Sequence, residues 1–488
     1  MRNRLLLLGA ALAAFGASLV SGFHFDDYAI FSDPVLTSSS GWMGIWALRR
    51  TQPLTNLTFW LNYLVGGRDP LGYHLLNLAL HLGAVLLAYE CLRRLLPERT
   101  ALAAAAVFAL HPIQAEAVNY VWGRGALLGA AFCFASLLAW LNGRRWTAMA
   151  WFAGALLANE QCAAFPLVLL LPVPLSNGRG SAPDSEPRPS GSGWWLEWVP
   201  FIGMFVLGLA AAARLVYAGA GSHGVLVPWK YFLAQGPAIW RYLRLLVVPY
   251  GFTVDPDIQV PSVWLGVLVW AVVLAAAVRL WRSRGSGWTM WVLAGLLLLL
   301  PSSSALPAAD LYADRRMYLP MLGFAAAAGL LLTRVRTRAL AACVAAALTL
   351  LSVVRTTVWL NDRSLWQEAV RRAPEKVRPK IQLSRDLPAV EALELLQRAQ
   401  NEAPHDPAVR AEMGKVLLQE RQVDPALIEF GQALALDPNN AEYYNDRGVA
   451  LGLSGLTQLA RADFQRALAI DPNLTEAREN LQRLPPAQ

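Results

Sequence analysis

The sequence predicts an all-α protein in two parts: a polytopic helical membrane domain of about eleven spans, then a short α-solenoid. Three observations predict it. Of 488 residues, 56% are apolar and 16% charged, the balance of a chain that meets lipid. Apolar runs recur up to residue 358, separated by short arginine-bearing loops. Beyond residue 360 those runs stop and a 34-residue period begins.

The first run, "MRNRLLLLGAALAAFGASLV", resembles a signal peptide, but "ASLVSG" is a poor cleavage site and many apolar runs follow. It reads as an uncleaved first span over 5–22, with Arg2 and Arg4 cytoplasmic. Further spans are expected at 72–92, 100–111, 125–141, 146–158, 162–175, 194–214, 262–281, 288–306, 319–333 and 338–358. With this alternation the basic loops, such as Arg93-Arg94, Arg144-Arg145 and Arg282 with Arg284, fall on the cytoplasmic side. Residues 23–71 then form an outer loop, and "SNGRGSAPDSEPRPSGSG" (176–193) a flexible cytoplasmic linker. The run 230–250 carries Arg241 and Arg244 and would invert every later loop if it spanned. It is expected to lie on the outer side as an interfacial or re-entrant helix.

The net charge of +8 is accounted for by this loop pattern, so no nucleic-acid partner is expected. Cys91, Cys133, Cys162 and Cys343 lie apart in apolar stretches, with neither metal spacing nor a disulfide framework.

In the tail, Pro404, Pro438 and Pro472 are 34 residues apart. Ala399, Ala433 and Ala467 keep that period, as do Gly414 with Gly448 and Phe430 with Phe464. Small residues where two helices approach, a phenylalanine between them and a closing proline define the tetratricopeptide repeat. The domains are therefore 1–359 in the membrane and 360–488 in the solenoid, with repeats at 407–440 and 441–474 and a degenerate one at 373–406. Such an array takes a peptide or protein on its concave face.

Ionisable residues at membrane depth or edge are functional candidates by default. Asp26 and Asp27 follow the first span. His74, Asn77 and His81 share one helical face at spacings of three and four. His111, Glu116 and Arg124 belong to the next outer loop, Glu160 to a tight outer turn, and Asp310, Asp314, Arg315, Arg316 and Tyr318 to "ADLYADRRMYLP". Each has a structural reading as well: solvated boundary, interhelical hydrogen bond, helix stop or ion pair. Their convergence on one face suits an active site at the lipid–water boundary.

"FDDYAIFSDPVL", "QPLTNLTFWLNYLVGGRDPLGYHLLNLALH", "FALHPIQAEAVNYVWGRGALL", "YFLAQGPAIWRYLRLLVVPYG" and "DRRMYLP", followed by the repeats, resemble the transmembrane and tetratricopeptide-repeat O-mannosyltransferases, more closely their bacterial relatives. The resemblance covers nearly the whole chain in the same order. It implies C-type glycosyltransferase architecture, with spans around an outer-face cavity and a polyprenyl-phosphate sugar as donor. It further implies a bacterial inner (cytoplasmic) membrane, with catalytic loops and repeats on the periplasmic side. The family usually has Lys-Glu where this chain has Asn159-Glu160, and Glu-Arg where it has Asp314-Arg315; both keep an acid.

The implied reaction is inverting transfer of a hexose, mannose by family, to a hydroxyl of an exported protein. Asp26 or Asp27 is the implied base, with Asp26 favoured, because a hydroxyl needs a carboxylate to take its proton. Arg315 and Arg316 lead the donor-phosphate set, followed by Arg124, Arg241 and Tyr318; planar guanidinium suits a phosphate. His111, Glu116 and Glu160, with His74 and His81, order the acceptor or hold a divalent cation, Mg or Mn. The residues do not choose, and no metal set is assigned. Alternatives are a glycosyltransferase acting on a lipid or cell-surface glycan, and a non-catalytic membrane-anchored scaffold for the repeats. A transporter is disfavoured, since the spans show no internal repeat.

Overall fold

The computed structural model describes residues 1–47, 50–171, 198–219, 227–258, 260–283, 286–303, 310–335 and 338–485, and among them there is no β-strand. The chain divides into two compact units, Met1–Val254 with Ile258–Asn361, and Asp362–Gln488 with Asp255–Asp257.

In the first unit five helices are long and apolar enough to cross a membrane: Arg2–Val20, Pro70–Leu95, Val121–Leu141, Val263–Arg282 and Ala339–Val358. Glu98–Leu110 and Pro112–Asn119 meet at 46° and make a sixth if they count as one broken span. The break has a local cause. Pro112 cannot donate into the helix, and His111 caps the new segment by accepting from the Ile113 N–H at 3.2 Å. Val199–Arg214, Trp288–Leu299 and Met321–Arg334 are apolar but shorter. The expected span at 162–175 is broken here: a 3-10 turn, Glu160–Ala164, leads into a single helical turn, Phe165–Val168. Its remainder from residue 172, and the linker 176–193, lie outside the described residues. The run at 230–250 forms the helix Pro228–Val247, which buries Tyr231, Ala234, Ala238, Tyr242 and Leu245 and exposes Trp240 and Val247.

The expected outer loop is ordered by its own small core of Ile30, Leu36, Ile45, Phe59, Tyr73 and Val121. Asp33 caps Pro34–Thr37 through the Val35 N–H at 2.9 Å and holds Arg50 with two bonds, at 2.6 and 2.9 Å. The helix Pro53–Gly66 closes this layer.

In the second unit, paired helices repeat: Val377–Ser384 with Ala389–Glu402, Pro407–Gln419 with Val423–Leu436, and Ala441–Leu453 with Thr457–Ile470. A Cβ on Gly414 would sit 2.7 Å from the Phe430 ring, and one on Gly448 2.7 Å from Phe464. The second and third pairs thus each need a glycine on one helix because the phenylalanine of the other packs against that backbone.

Candidate functional site

The aspartate pair lies on a 3-10 turn, Phe25–Tyr28, just past the first helix. The turn separates the two side chains. Asp27 is fully buried, and Asp26 faces out. One Asp27 oxygen accepts from the His24 N–H at 3.0 Å and the other from the Trp122 N–H at 2.7 Å. Burial pushes its carboxyl up to about 7, against the pull of His24 and the N–H groups of residues 24, 122 and 121. Asp27 therefore pins the turn to the 121–123 segment, while Asp26 is the member offered to solvent.

Tyr120 connects this turn to the arginines. Its ring lies 4.6 Å from that of Phe25, and the Arg315 guanidinium stands 5.6 Å from its centroid. Burial pushes its hydroxyl pKa up, the neighbouring Asp27 and Asp26 carboxylates push the same way, and Arg315 opposes them.

Arg315 donates to Glu116 at 2.5 Å and to Asp310 at 3.0 Å. Burial alone would lower its pKa; those two carboxylates more than offset this and hold it above the ordinary value. The second Glu116 oxygen accepts from the Asp314 N–H at 2.7 Å. Burial and the like charge of Glu116 raise the Asp314 carboxyl, and the Tyr312 hydroxyl donates to it. Arg316 is bound differently. It donates to the Asp310 carbonyl at 2.5 Å and to the Leu311 carbonyl and the Tyr231 hydroxyl at 3.3 Å each, all neutral oxygens. Its charge is therefore left largely uncompensated by these contacts. Arg315 and Arg316 line a small cavity with Asn159, Gln161, Ser302 and Pro320. Arg241 donates to the Gly251 carbonyl at 2.8 Å and lies 5.2 Å from the Tyr312 ring centre.

Other expected site residues hold the frame. Arg124 is buried and donates to Asn77 at 2.7 Å, Asn62 at 2.7 Å, Thr58 at 3.1 Å and the Tyr73 carbonyl at 3.1 Å, clamping the outer-loop helix to the Pro70–Leu95 helix. Tyr318 likewise spends its hydroxyl on His81 Nδ1, 2.7 Å away, whose Nε2 donates to the Ala109 carbonyl at 3.2 Å. His74 donates to the Gly22 carbonyl at 3.1 Å, and His111 to the Leu246 carbonyl at 3.4 Å. Glu160 is buried, accepts from the Gln52 N–H at 3.1 Å, and is raised by burial against the pull of that N–H and of Arg214. His111, Glu116 and Glu160 thus answer to separate partners. Among the described residues no group of three or more His, Cys, Asp or Glu side chains is placed to hold a metal ion.

Sequence reasoning missed Tyr120, Tyr312 and His24. An aromatic residue leaves no periodic trace of its role. His24, three residues before Asp27, was legible as a helix-start pattern.

This arrangement can take a proton at Asp26 and hold an anion at Arg316 and Arg315. Residues 389–445 match the tetratricopeptide repeat family. The chain is similar to protein O-mannosyl-transferase Tmtc1 of Drosophila melanogaster, 49% identical over 107 residues, 22% of this chain and 12% of that protein. It is similar to protein O-mannosyl-transferase TMTC3 of Mus musculus, 33% identical over 153 residues, 28% of this chain and 17% of that one. Protein O-mannosyl-transferase F38B6.6 of Caenorhabditis elegans is 24% identical over 365 residues, 66% of this chain and 50% of that protein. The matches thus span half or less of these relatives' own lengths.

Proposed function

We propose that this chain is a membrane glycosyltransferase that moves a hexose, with mannose first among them, from a polyprenyl-phosphate sugar to a hydroxyl of an exported protein. The observation that carries the reading is one exposed carboxylate, Asp26, on a turn whose Phe25 packs against Tyr120, the ring that the Arg315 guanidinium faces. The names of the relatives support the same reaction class.

Asp26 takes the proton of the acceptor hydroxyl as its oxygen attacks the anomeric carbon. The bond from that carbon to the phosphate oxygen breaks, and the lipid phosphate leaves with an added negative charge. A single displacement inverts the anomeric centre. Arg316 and Arg315 stabilise the leaving phosphate, with Arg241 behind them. Asp27 fixes the turn that carries the base, and Glu116 aims Arg315. Glu160 supports the outer loop beside the acceptor. Arg124, Tyr318, His74, His81 and His111 keep the loops in register. The reaction runs at the outer face of the bacterial cytoplasmic membrane, where the repeats hold the exported chain.

The test uses full-length protein in membranes, a short-chain polyprenyl-phosphate mannose and a serine/threonine peptide. Asp26→Asn should lower kcat roughly 10²- to 10⁴-fold, the range for losing a general base. A wild-type rate in Asp26→Asn would remove the base assignment. Donor turnover only when a glycolipid or cell-surface glycan replaces the peptide would move the acceptor to that class.

A further inference from the structure

We infer that His24 is a positioning residue that hangs the Asp26–Asp27 turn on the Trp359–Leu360 segment, the exit of the last membrane helix. The inference deepens the reading of Asp26 as base and rests on it.

His24 is fully buried, and its Nε2 lies 2.7 Å from the Trp359 carbonyl. A carbonyl only accepts, so Nε2 carries the proton and Nδ1 is the acceptor. The same residue opens the turn as its N-cap. His24 and Asp27 form a capping box, in which the histidine side chain accepts from the Asp27 N–H and Asp27 accepts from the His24 N–H. The two ring nitrogens thus face different partners: one the Asp27 N–H, which also donates to the His24 carbonyl at 2.7 Å, the other a carbonyl 335 residues away. Two residues earlier the grip is repeated. The Gly22 N–H donates to the Leu360 carbonyl at 3.2 Å, and its own carbonyl accepts from His74 at 3.1 Å.

Trp359 makes the anchor rigid. It is fully buried, meets the His24 ring edge to face at 5.6 Å and the Tyr120 ring at 5.8 Å. The Tyr120 ring, which meets Phe25 and faces Arg315, is thus packed on the same indole whose residue carries the tether. Phe25 adjoins the base at φ +21, a sparsely populated backbone value that persists only where neighbours hold it. The tether accounts for that hold. Without it the capping box still closes and Asp27 still holds the Trp122 N–H, but the turn loses its side-chain bond to the segment on which Tyr120 packs. A shift of about 1 Å in a catalytic group costs up to roughly 100-fold in rate.

Two substitutions separate the cap from the tether. An asparagine amide oxygen falls near Nδ1, so His24→Asn keeps the cap and loses the Trp359 bond. A glutamine amide nitrogen falls near Nε2, so His24→Gln keeps the bond and loses the cap. In full-length protein with a short-chain polyprenyl-phosphate mannose and a serine/threonine peptide, His24→Asn should lower kcat about tenfold at unchanged donor KM. His24→Gln should recover most of that loss. In parallel, hydrogen exchange at the amides of 22–28 should quicken in His24→Asn and less so in His24→Gln. Equal kinetics and equal exchange in the two variants, or damage confined to His24→Gln, would overturn the inference and leave a plain helix cap. If Asp26→Asn keeps its activity while exchange still separates the two variants, the base assignment fails and the tether stands.

Discussion

Arg315 and Arg316 are adjacent and charged alike, yet their removal should read out in different assays. Arg316 donates to three neutral oxygens. Losing its guanidinium leaves three acceptors without that donor, at about 1–3 kcal/mol in stability. What it does remove is a forked cation lining the cavity. A phosphate held by two charge-assisted bonds, each contributing roughly 1.5–3 kcal/mol, would lose about 3 kcal/mol at the lower bound. That is roughly 100-fold in kcat/KM for the donor. Arg316→Lys keeps the charge without the fork and should fall between. Arg315 is paired with Glu116, of which only 4% of the side chain is exposed. Arg315→Ala strands that carboxylate in the interior and should cost about 3 kcal/mol in stability, the low end for a broken buried pair, because Arg315 itself is 23% exposed. The assay is donor-dependent transfer by full-length protein, inhibition by free polyprenyl phosphate, and thermal unfolding of each variant. Arg316→Ala with unchanged donor dependence and unchanged product inhibition would refute the phosphate assignment. An Arg315→Ala protein that melts like wild type would refute the charge accounting.

Other outcomes follow from single contacts. Gly414→Ala and Gly448→Ala each drive a methyl to 2.7 Å from a phenylalanine ring and should destabilise the repeats by about 1–3 kcal/mol, read by denaturant unfolding; Phe430→Leu should relieve the first. Arg124→Lys cannot reach Asn77, Asn62, Thr58 and Tyr73 at once and should lower thermal stability by about 2–4 kcal/mol. Asp33 gives a pH dependence of known sign. Burial raises its pKa, but the Arg50 bond and the Val35 N–H outweigh this and leave it below the ordinary 3.8. The folded chain therefore holds fewer protons than the unfolded one just below that pH. The stability Asp33 contributes is present above 3.8 and is lost as pH falls through its folded value. Protease resistance of the 23–66 region should thus drop with acid in wild type and drop less in Asp33→Asn.

The repeats were legible because both sides of their central contact recur. Gly414 and Phe430 touch within one repeat, and Gly448 and Phe464 touch in the next, so the period records the geometry. The membrane helices were legible as apolar runs, but their ends were not. Pro112 and the cap at His111 break one run, and the Glu160 turn breaks another, through local hydrogen bonds that hydropathy averages away. Arg124 shows a different limit. A phosphate-binding arginine and a structural clamp look identical in one dimension. The acceptors that decide between them, Thr58, Asn62, Tyr73 and Asn77, sit 47 to 66 residues away and carry no periodic mark. Tyr318 is the same case, with its partner His81 237 positions off.

The aspartate pair shows how far local chemistry reaches. Two adjacent residues on a 3-10 turn point about 120° apart, so both cannot face the same way. One must enter the protein, where it is costly unless its oxygens are satisfied. His-x-x-Asp at a turn start names the inward one: only the third residue can close a capping box, and Asp27 does. Asp26 then faces out by elimination. What local pattern cannot supply is the second Asp27 bond, to the Trp122 N–H, or the His24 bond to Trp359. These long-range contacts turn a capped loop into a fixed one. A base on a loose loop would sample many distances to the acceptor, and most would be unproductive. The costs of burying Asp27 and of bending Phe25 therefore fall on the segment to which the proposed function assigns the proton transfer.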